Sequence, residues 1–372
     1  MSKARELAEL GAAYDSGSLS NRNIIVNGGM AVSQRGTSAA SAAGDTYLID
    51  RIRYEKSGVS TVVTMSQADD GPTGVSNKSL KFQITTAGAS TPGASNFHQF
   101  IYKGEGNTID HIGLGTSDCK PMTFSFYAKA STTGTLPFSI HNDTGIVVYS
   151  STYNIASANT WQRYTYSLPV VTTGTWLTGT SQGFAIRFGL EYGSDFTGGT
   201  PNEWRTLASG FTGSGGFQSA YTNALGSTLN ATLYITGIQL EMGTEATPFE
   251  HRSFGQELAL CQRYYHRIEG ASKMIGHCFY FGTTEVDVEV SLPCSMRVAP
   301  TLTSSSGTNY FRIQHYSDDF NQFSGVQYYN GAALNMWAQS GGSVGTISGT
   351  AGDAGYVVTN SASSIVELSS EL

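Results

Sequence analysis

Charge is scarce in this sequence: Lys, Arg, Asp and Glu make up 13% of 372 residues, while 39% are apolar. A chain of that balance folds rather than staying disordered, and its length allows two or three domains. Positive charge is scarcer still. There are 21 Lys plus Arg against 28 Asp plus Glu, a formal net charge of −7, and no basic run that could neutralise a phosphate backbone, so nucleic acid is not an expected partner. Long apolar runs are missing too. No stretch approaches the roughly 20 residues a membrane helix needs, and residues 1–10 lack the apolar core of a secretory signal, so no membrane insertion is expected. The four cysteines, Cys119, Cys261, Cys278 and Cys294, show no C-x-x-C spacing, which argues against a zinc knuckle or disulfide scaffold and predicts buried free thiols.

What the sequence does have is glycine, 44 residues against 9 prolines. Abundant Thr, Tyr and Phe favour pleated, half-buried surfaces, and Gly, Ser and Asn favour the turns between them. The expected fold is mainly β. Apolar residues recur with period two at Leu80, Phe82 and Ile84, at Phe124, Phe126 and Ala128, and at Phe184, Ile186, Phe188 and Leu190. Short strands with no helical pattern between them predict an antiparallel sandwich or barrel. Within 233–240 the apolar phase shifts at Gly237, which predicts a β-bulge.

Helical spacing is confined to two places. Ala4, Leu7, Ala8 and Gly11 outline a short N-terminal helix that must pack on something to be stable, and a Gly/Ser/Asn linker follows it. Residues 1–21 thus read as an arm that docks on a partner. Ser253 and Gln256 form a capping-box pattern, and Phe254, Leu258, Cys261, Tyr265 and Ile268 share one helical face, predicting a helix over 253–268. The expected domains are a sandwich over 22–252, a linking helix over 253–270 and a second β-domain over 271–372.

The chemistry of catalysis is thin. Gly179-Thr-Ser-Gln-Gly183 fits the G-x-S-x-G pattern of a nucleophile elbow, but a strand pattern follows where a helix is needed, so Ser181 reads as a turn residue. No H-x-x-x-H or H-E-x-x-H spacing occurs, and His315 near Asp318 and Asp319 lacks a third ligand. No repeat suggests a β-helix scaffold on which paired carboxylates could cleave a polysaccharide. The chain is expected not to be an enzyme. Sugars are held by aromatic faces together with amide and carboxylate hydrogen bonds. Trp161 lies in a strand motif and is expected in the core. Trp176, Tyr192, Phe196 and Trp204 fall in Gly/Thr-rich connections and are candidate glycan ligands, the other account being that they anchor loops or subunits. Tyr328, Tyr329 and Trp337 surround a Gly/Ser/Tyr-rich stretch and either bind a ligand, a glycan among them, or fill a subunit interface.

Several segments together resemble a known group. Asn23–Met30, Ser33–Thr37 and Tyr47–Arg51 resemble the opening of bacteriophage virion proteins of the tail-fibre and carbohydrate-binding-module-like kind. Phe124–Lys129, Thr160–Tyr164, Ile235–Gly243 and above all Ala246–Arg252 running into Glu257–Tyr265 are similar to later parts of the same family. Ile52 departs from it, standing where an aromatic is common. The resemblance implies a jelly-roll sandwich on a virion assembled in the host bacterial cytoplasm, usually as a homotrimer. It further implies a non-enzymatic tail fibre or receptor-binding protein contacting host surface glycans, with the arm holding other virion proteins. A head-decorating fibre or tail adaptor, and a polysaccharide depolymerase, are the alternatives. Jelly rolls of this type often hold a structural calcium near their first and last strands, which points to Asn27 and Glu241.

Overall fold

A computed structural model describes Lys3 and residues 21–40, 42, 44–208, 216–315, 317–329, 333–340 and 345–372. Apart from Lys3 and Asn21, the expected N-terminal arm lies outside the described residues. The chain divides into two compact units, Met1–Glu257 with Leu372, and Leu258–Glu371.

The first unit is a jelly-roll-type sandwich of two antiparallel sheets. One sheet orders its strands Ser38–Ala39, Val62–Ala68, Ser79–Thr86, Thr232–Met242, Met122–Ala130, Gln162–Leu168. The other runs Glu203–Thr206, Val147–Ile155, Gly134–Asn142, Gln182–Tyr192, Phe97–Glu105, Ile52–Ser57, Thr46–Tyr47. Alternation explains the core, since every second side chain of a strand faces the same way. Phe126 of the first sheet meets Phe188 of the second edge-on at 4.9 Å, and Phe82 stacks on Phe100 at 5.2 Å. The bulge forms where the phase shift predicts it: pairing with Met122–Ala130 slips between Thr236 and Gln239, and Gly237 takes φ +62°.

The α-helix with described bounds is Phe254–Gln262, shorter than expected. Its capping box is made, Ser253 N donating to Gln256 Oε1 at 3.0 Å and Gln256 N to Ser253 Oγ at 3.3 Å. The chain leaves the helix because Tyr265–Glu269 pairs as a strand with Ile365–Ser369. Tyr265 and Ile268 therefore reach the second core from a strand and not from a helical face.

In the second unit a three-stranded sheet orders Tyr265–Glu269, Ile365–Ser369, Thr301–Ser304. A seven-stranded antiparallel sheet orders Asp318–Phe320, Phe311–Ile313, Ala354–Thr359, Met274–Tyr280, Glu285–Ser291, Ala333–Gln339, Gly325–Tyr329. Val286, Val288, Leu334, Met336 and Val357 are buried on its inner face. All four cysteines are free; Cys119, Cys261 and Cys278 are buried and Cys294 is half-buried.

Candidate functional site

Two of the resembling segments, Asn23–Met30 and Ala246–Arg252, meet in the first unit. Asn27, at φ +61°, uses its side-chain amide to staple the following turn: Nδ2 donates to Val32 O at 2.8 Å and Asp50 O at 3.0 Å, and Oδ1 accepts from Val32 N at 2.9 Å. Asp50 in turn accepts from Gln34 N at 3.0 Å. Two hundred residues on, Glu250 accepts from Arg22 N at 3.1 Å and Asn23 N at 2.8 Å. Arg252 donates to Asn23 O and, at 3.1 Å, to Ile25 O. The opening and closing motifs are thus two halves of one clasp.

That clasp also consumes the expected calcium ligands. Buried Glu241 accepts at Oε1 from Gln239 Nε2 at 2.8 Å and Thr247 N at 3.0 Å, and at Oε2 from Thr247 Oγ1 at 2.5 Å. A calcium ion needs six to eight oxygens, and these two residues have already spent most of their lone pairs on protein donors. The pair does not fit the ion, and no group of three or more His, Cys, Asp or Glu fit to hold a metal occurs among the described residues.

The expected sugar-binding aromatics of the first unit scatter. Tyr192 ends a strand and is buried, accepting at its hydroxyl from Gln218 Nε2 at 3.1 Å and donating to Gln99 Oε1; burial pushes its phenol well above the ordinary value. Phe196 is buried edge-on against Phe97 at 5.5 Å. Neither presents a face: Gln218, returning later in the chain, donates to the Tyr192 hydroxyl and, from its backbone N at 2.7 Å, to Phe196 O. Trp204 sits on the edge strand Glu203–Thr206 and not in a connection. It meets Trp176 edge-to-face at 5.7 Å, and each indole N–H donates to a local carbonyl, Pro169 O and Thr173 O. Both rings are half-buried and pin the 169–176 connection to that strand. Trp161, expected in the core, is half-buried outside it and donates from Nε1 to Asp70 Oδ1 at 3.0 Å.

Ser181 is an exposed bend residue whose carbonyl accepts from Gly106 N at 2.8 Å, and the strand Gln182–Tyr192 follows it. Asp318 accepts from the Tyr280 hydroxyl at 2.7 Å and Asp319 pairs with Arg312 at 2.8 Å, so both carboxylates near His315 are engaged by other groups.

In the second unit, Tyr328 packs against the core and donates to Met296 O at 3.2 Å. Tyr329 ends the same strand; its side chain lies outside the described residues. Trp337 is different. It lies on the outward face of the seven-stranded sheet, half-buried, where its indole covers Gly325 so closely that a Cβ there would fall 2.3 Å from the ring. Across the sheet Trp337 pairs with Asp287, which pairs with Phe279, and the adjacent row runs Tyr356, His277, Glu289, Asn335. Phe279 is 44% exposed and Tyr356 42%.

One cavity was not foreseen. A cleft of about 700 Å³ lies in the first unit between residues 71–78 and 249–257, with Phe249, His251 and Phe254 among its walls. The signal was present in the motif Ala246–Arg252, whose alternate residues build the clasp while Phe249 and His251 turn outward to meet edge-on at 5.4 Å. The cleft's carboxylates, Glu250 and Glu257, are held by Arg252 at 3.4 and 3.5 Å.

No protein-family model matches this chain, and no curated protein matches it. Solved structures resemble part of it. The enzymatically active domain of tailspike protein 4 of bacteriophage CBA120 is 14% identical over 59% of this chain and 21% of its own, with a TM-score of 0.32. The chain therefore spans about a fifth of that protein. The N-terminal cellulose-binding domain of β-1,4-glucanase C from Cellulomonas fimi is 13% identical over 58% of this chain and 100% of its own, TM-score 0.27. A family 11 carbohydrate-binding module from a cellulosomal cellulase of Clostridium thermocellum is 12% identical over 56% and 97%, TM-score 0.25.

Trp337 lies on an outward sheet face with an exposed aromatic and polar side chains in register beside it. Phe279 and Trp337 stand two strands apart, about 10 Å, with a carboxylate between them and an amide and an imidazole in the next row.

Proposed function

We propose that this protein is a non-enzymatic component of a bacteriophage particle, a tail-fibre or receptor-binding protein that contacts host surface glycans. The observation that carries the reading is the outward row Phe279, Asp287, Trp337 with its neighbours His277, Glu289 and Asn335. Pyranose rings present apolar C–H faces to aromatic rings and equatorial hydroxyls to carboxylates and amides, and this face offers both on a rigid sheet. The motif resemblance supplies the phage origin, and the clasp supports it by joining motifs far apart in sequence into one structural feature. Three copies of the chain, held to other virion proteins through residues 1–21, complete the reading: one end attaches and the other is free to vary.

The test is binding of the full chain to an array of bacterial surface polysaccharides, with Trp337→Ala and Phe279→Ala in parallel. Retention of at least one glycan, weakened about tenfold or more by each substitution while the trimer persists in light scattering, supports the reading. Loss of the trimer with Trp337→Ala makes this face a subunit interface. Electron microscopy of intact particles decorated with an antibody to the chain locates it, and absence from the particle overturns the virion assignment.

A further inference from the structure

We infer that the outward face of the six-stranded sheet in the first unit is a second binding site, specific for acidic sugars, in which Lys81 takes the sugar's anionic group and Tyr234 its ring face. The inference rests on the reading of the chain as a glycan binder but not on the Trp337 face.

Four outward residues stand in register across neighbouring strands: Ser66 opposite Lys81, Lys81 opposite Tyr234, Tyr234 opposite Lys129. Lys129 Nζ stands 4.4 Å from the centroid of the Tyr234 ring, and Lys81 Nζ lies farther out at 5.7 Å. Trp161 closes the row, 6.3 Å from Tyr234 at 70° and 5.1 Å from the Lys129 ammonium. Arg163 stands in the next row, over Tyr127 at 5.9 Å. These side chains are half-buried, which holds them in place while leaving surface for a ligand.

The charges of the row are unequal in their engagements. Lys129 is tied to Asp70, which also accepts from Trp161 Nε1 at 3.0 Å. Burial pushes the Asp70 carboxyl upward, but the hydrogen bonds from Lys129 and Trp161, with the charges of Lys129 and Lys81, outweigh it and hold the group below its ordinary value. Asp70 therefore stays ionised and serves Lys129. Lys81 has no carboxylate within ion-pair distance among the described residues; its contact is with the Tyr234 ring. Lys81, Lys129 and Arg163 against Asp70 and the buried Glu241 still leave the face positive on a chain of formal charge −7. That contrast favours an anionic occupant, since a cationic patch on an acidic protein concentrates the opposite charge locally. The aromatic rings make the occupant a sugar and not a bare anion, because C–H faces stack on Tyr and Trp.

The experiment is calorimetric titration of the full chain with trigalacturonate, neutral galactotriose and inorganic phosphate, repeated with Lys81→Gln and Tyr234→Leu and at raised salt. Expected are binding of trigalacturonate, about fivefold or more weakening by Lys81→Gln, further weakening by salt, and tighter binding than either control. Tyr234→Leu weakens trigalacturonate and leaves phosphate unchanged. Equal affinity for galactotriose, equal affinity for phosphate, or no effect of Lys81→Gln in a variant with unchanged circular dichroism each overturns the inference. If trigalacturonate fails while the array glycan still binds through Trp337, this inference falls alone; if both fail, the reading of the chain as a glycan binder falls with it.

Discussion

Arg187 donates from Nε to His141 Nε2 at 3.0 Å, and both side chains are buried on the outward side of the seven-stranded sheet in the first unit. The bond fixes the imidazole's state. Nε2 accepts, so the proton sits on Nδ1, which donates to Asn142 O at 2.6 Å. Arg187 keeps its own charge by donating to Glu55 at 2.9 Å, and its guanidinium also lies 5.6 Å from the ring of Phe217.

A pH dependence follows from this pair. Burial first, and then the Arg187 charge, hold the His141 pKa well below the ordinary 6.5. In the unfolded chain the imidazole takes a proton near that value while the folded one does not. Stability is therefore full above about pH 6.5 and is lost as pH falls below it toward the folded pKa. His98, likewise buried and lowered by desolvation despite Glu191 at 3.0 Å, adds to the same slope. His141→Gln keeps an acceptor for Arg187 and removes the titration. Thermal unfolding at about pH 7.5 and pH 5.5 should show a smaller acid loss in the variant than in the wild type; equal losses would mean His141 is not the titrating group.

Those buried polar residues mark where the sequence was hard to read. The sheets, the Gly237 bulge and the Ser253–Gln256 cap are local patterns, and each was legible from spacing alone. Tyr192 and Phe196 were not, because whether a ring after a strand faces water depends on Gln218 and Phe217, which return more than twenty residues later to cover the sheet. The helix ends earlier than its spacing predicts for a similar reason: Tyr265 and Ile268 fit a helical face, but pairing with Ile365–Ser369, about a hundred residues downstream, outweighs that local preference. The row around Tyr234 depends on register between strands, which period-two alternation does not set.

Metal removal should do nothing to stability. Glu241 and Asn27 accept from Thr247, Gln239 and Val32, so a calcium ion there would have to displace these donors. EDTA should move Tm by less than about 1 °C, and added calcium likewise, since an ion that does not bind the folded state cannot stabilise it. A calcium-dependent rise of several degrees would overturn the assignment of these side chains to the clasp alone.

Gly237 is a position where only glycine fits. Its φ of +62° is strained for any other residue but Asn or Asp, and an added Cβ would meet Val75 Cγ1 at 2.8 Å and Tyr127 Cδ2 at 2.9 Å. Gly237→Ala should cost about 1–3 kcal/mol from backbone strain and crowding, read as a lower denaturation midpoint with unchanged slope. Gly243, at φ +119° with open space around it, is the control for backbone strain without crowding.

The clasp gives the sharpest test of the first unit. Arg252 reaches two backbone carbonyls, Asn23 O and Ile25 O, and faces Glu250 at 3.4 Å and Glu257 at 3.5 Å from a largely buried position. Arg252→Ala removes the donor to both carbonyls and leaves two carboxylates without their shared cation, a loss of about 2–4 kcal/mol. Arg252→Lys should recover only part of this, because an ammonium is a point donor and cannot serve two carbonyls and two carboxylates in a planar fork. Glu250 continues to accept from Arg22 N and Asn23 N in either variant, so Glu250→Gln added to Arg252→Ala should cost less than the sum of the two single changes. A double-mutant cycle by urea unfolding measures that coupling. Strict additivity would mean that Arg252 and Glu250 hold the N-terminal segment independently, and that the motif joining them is not one clasp.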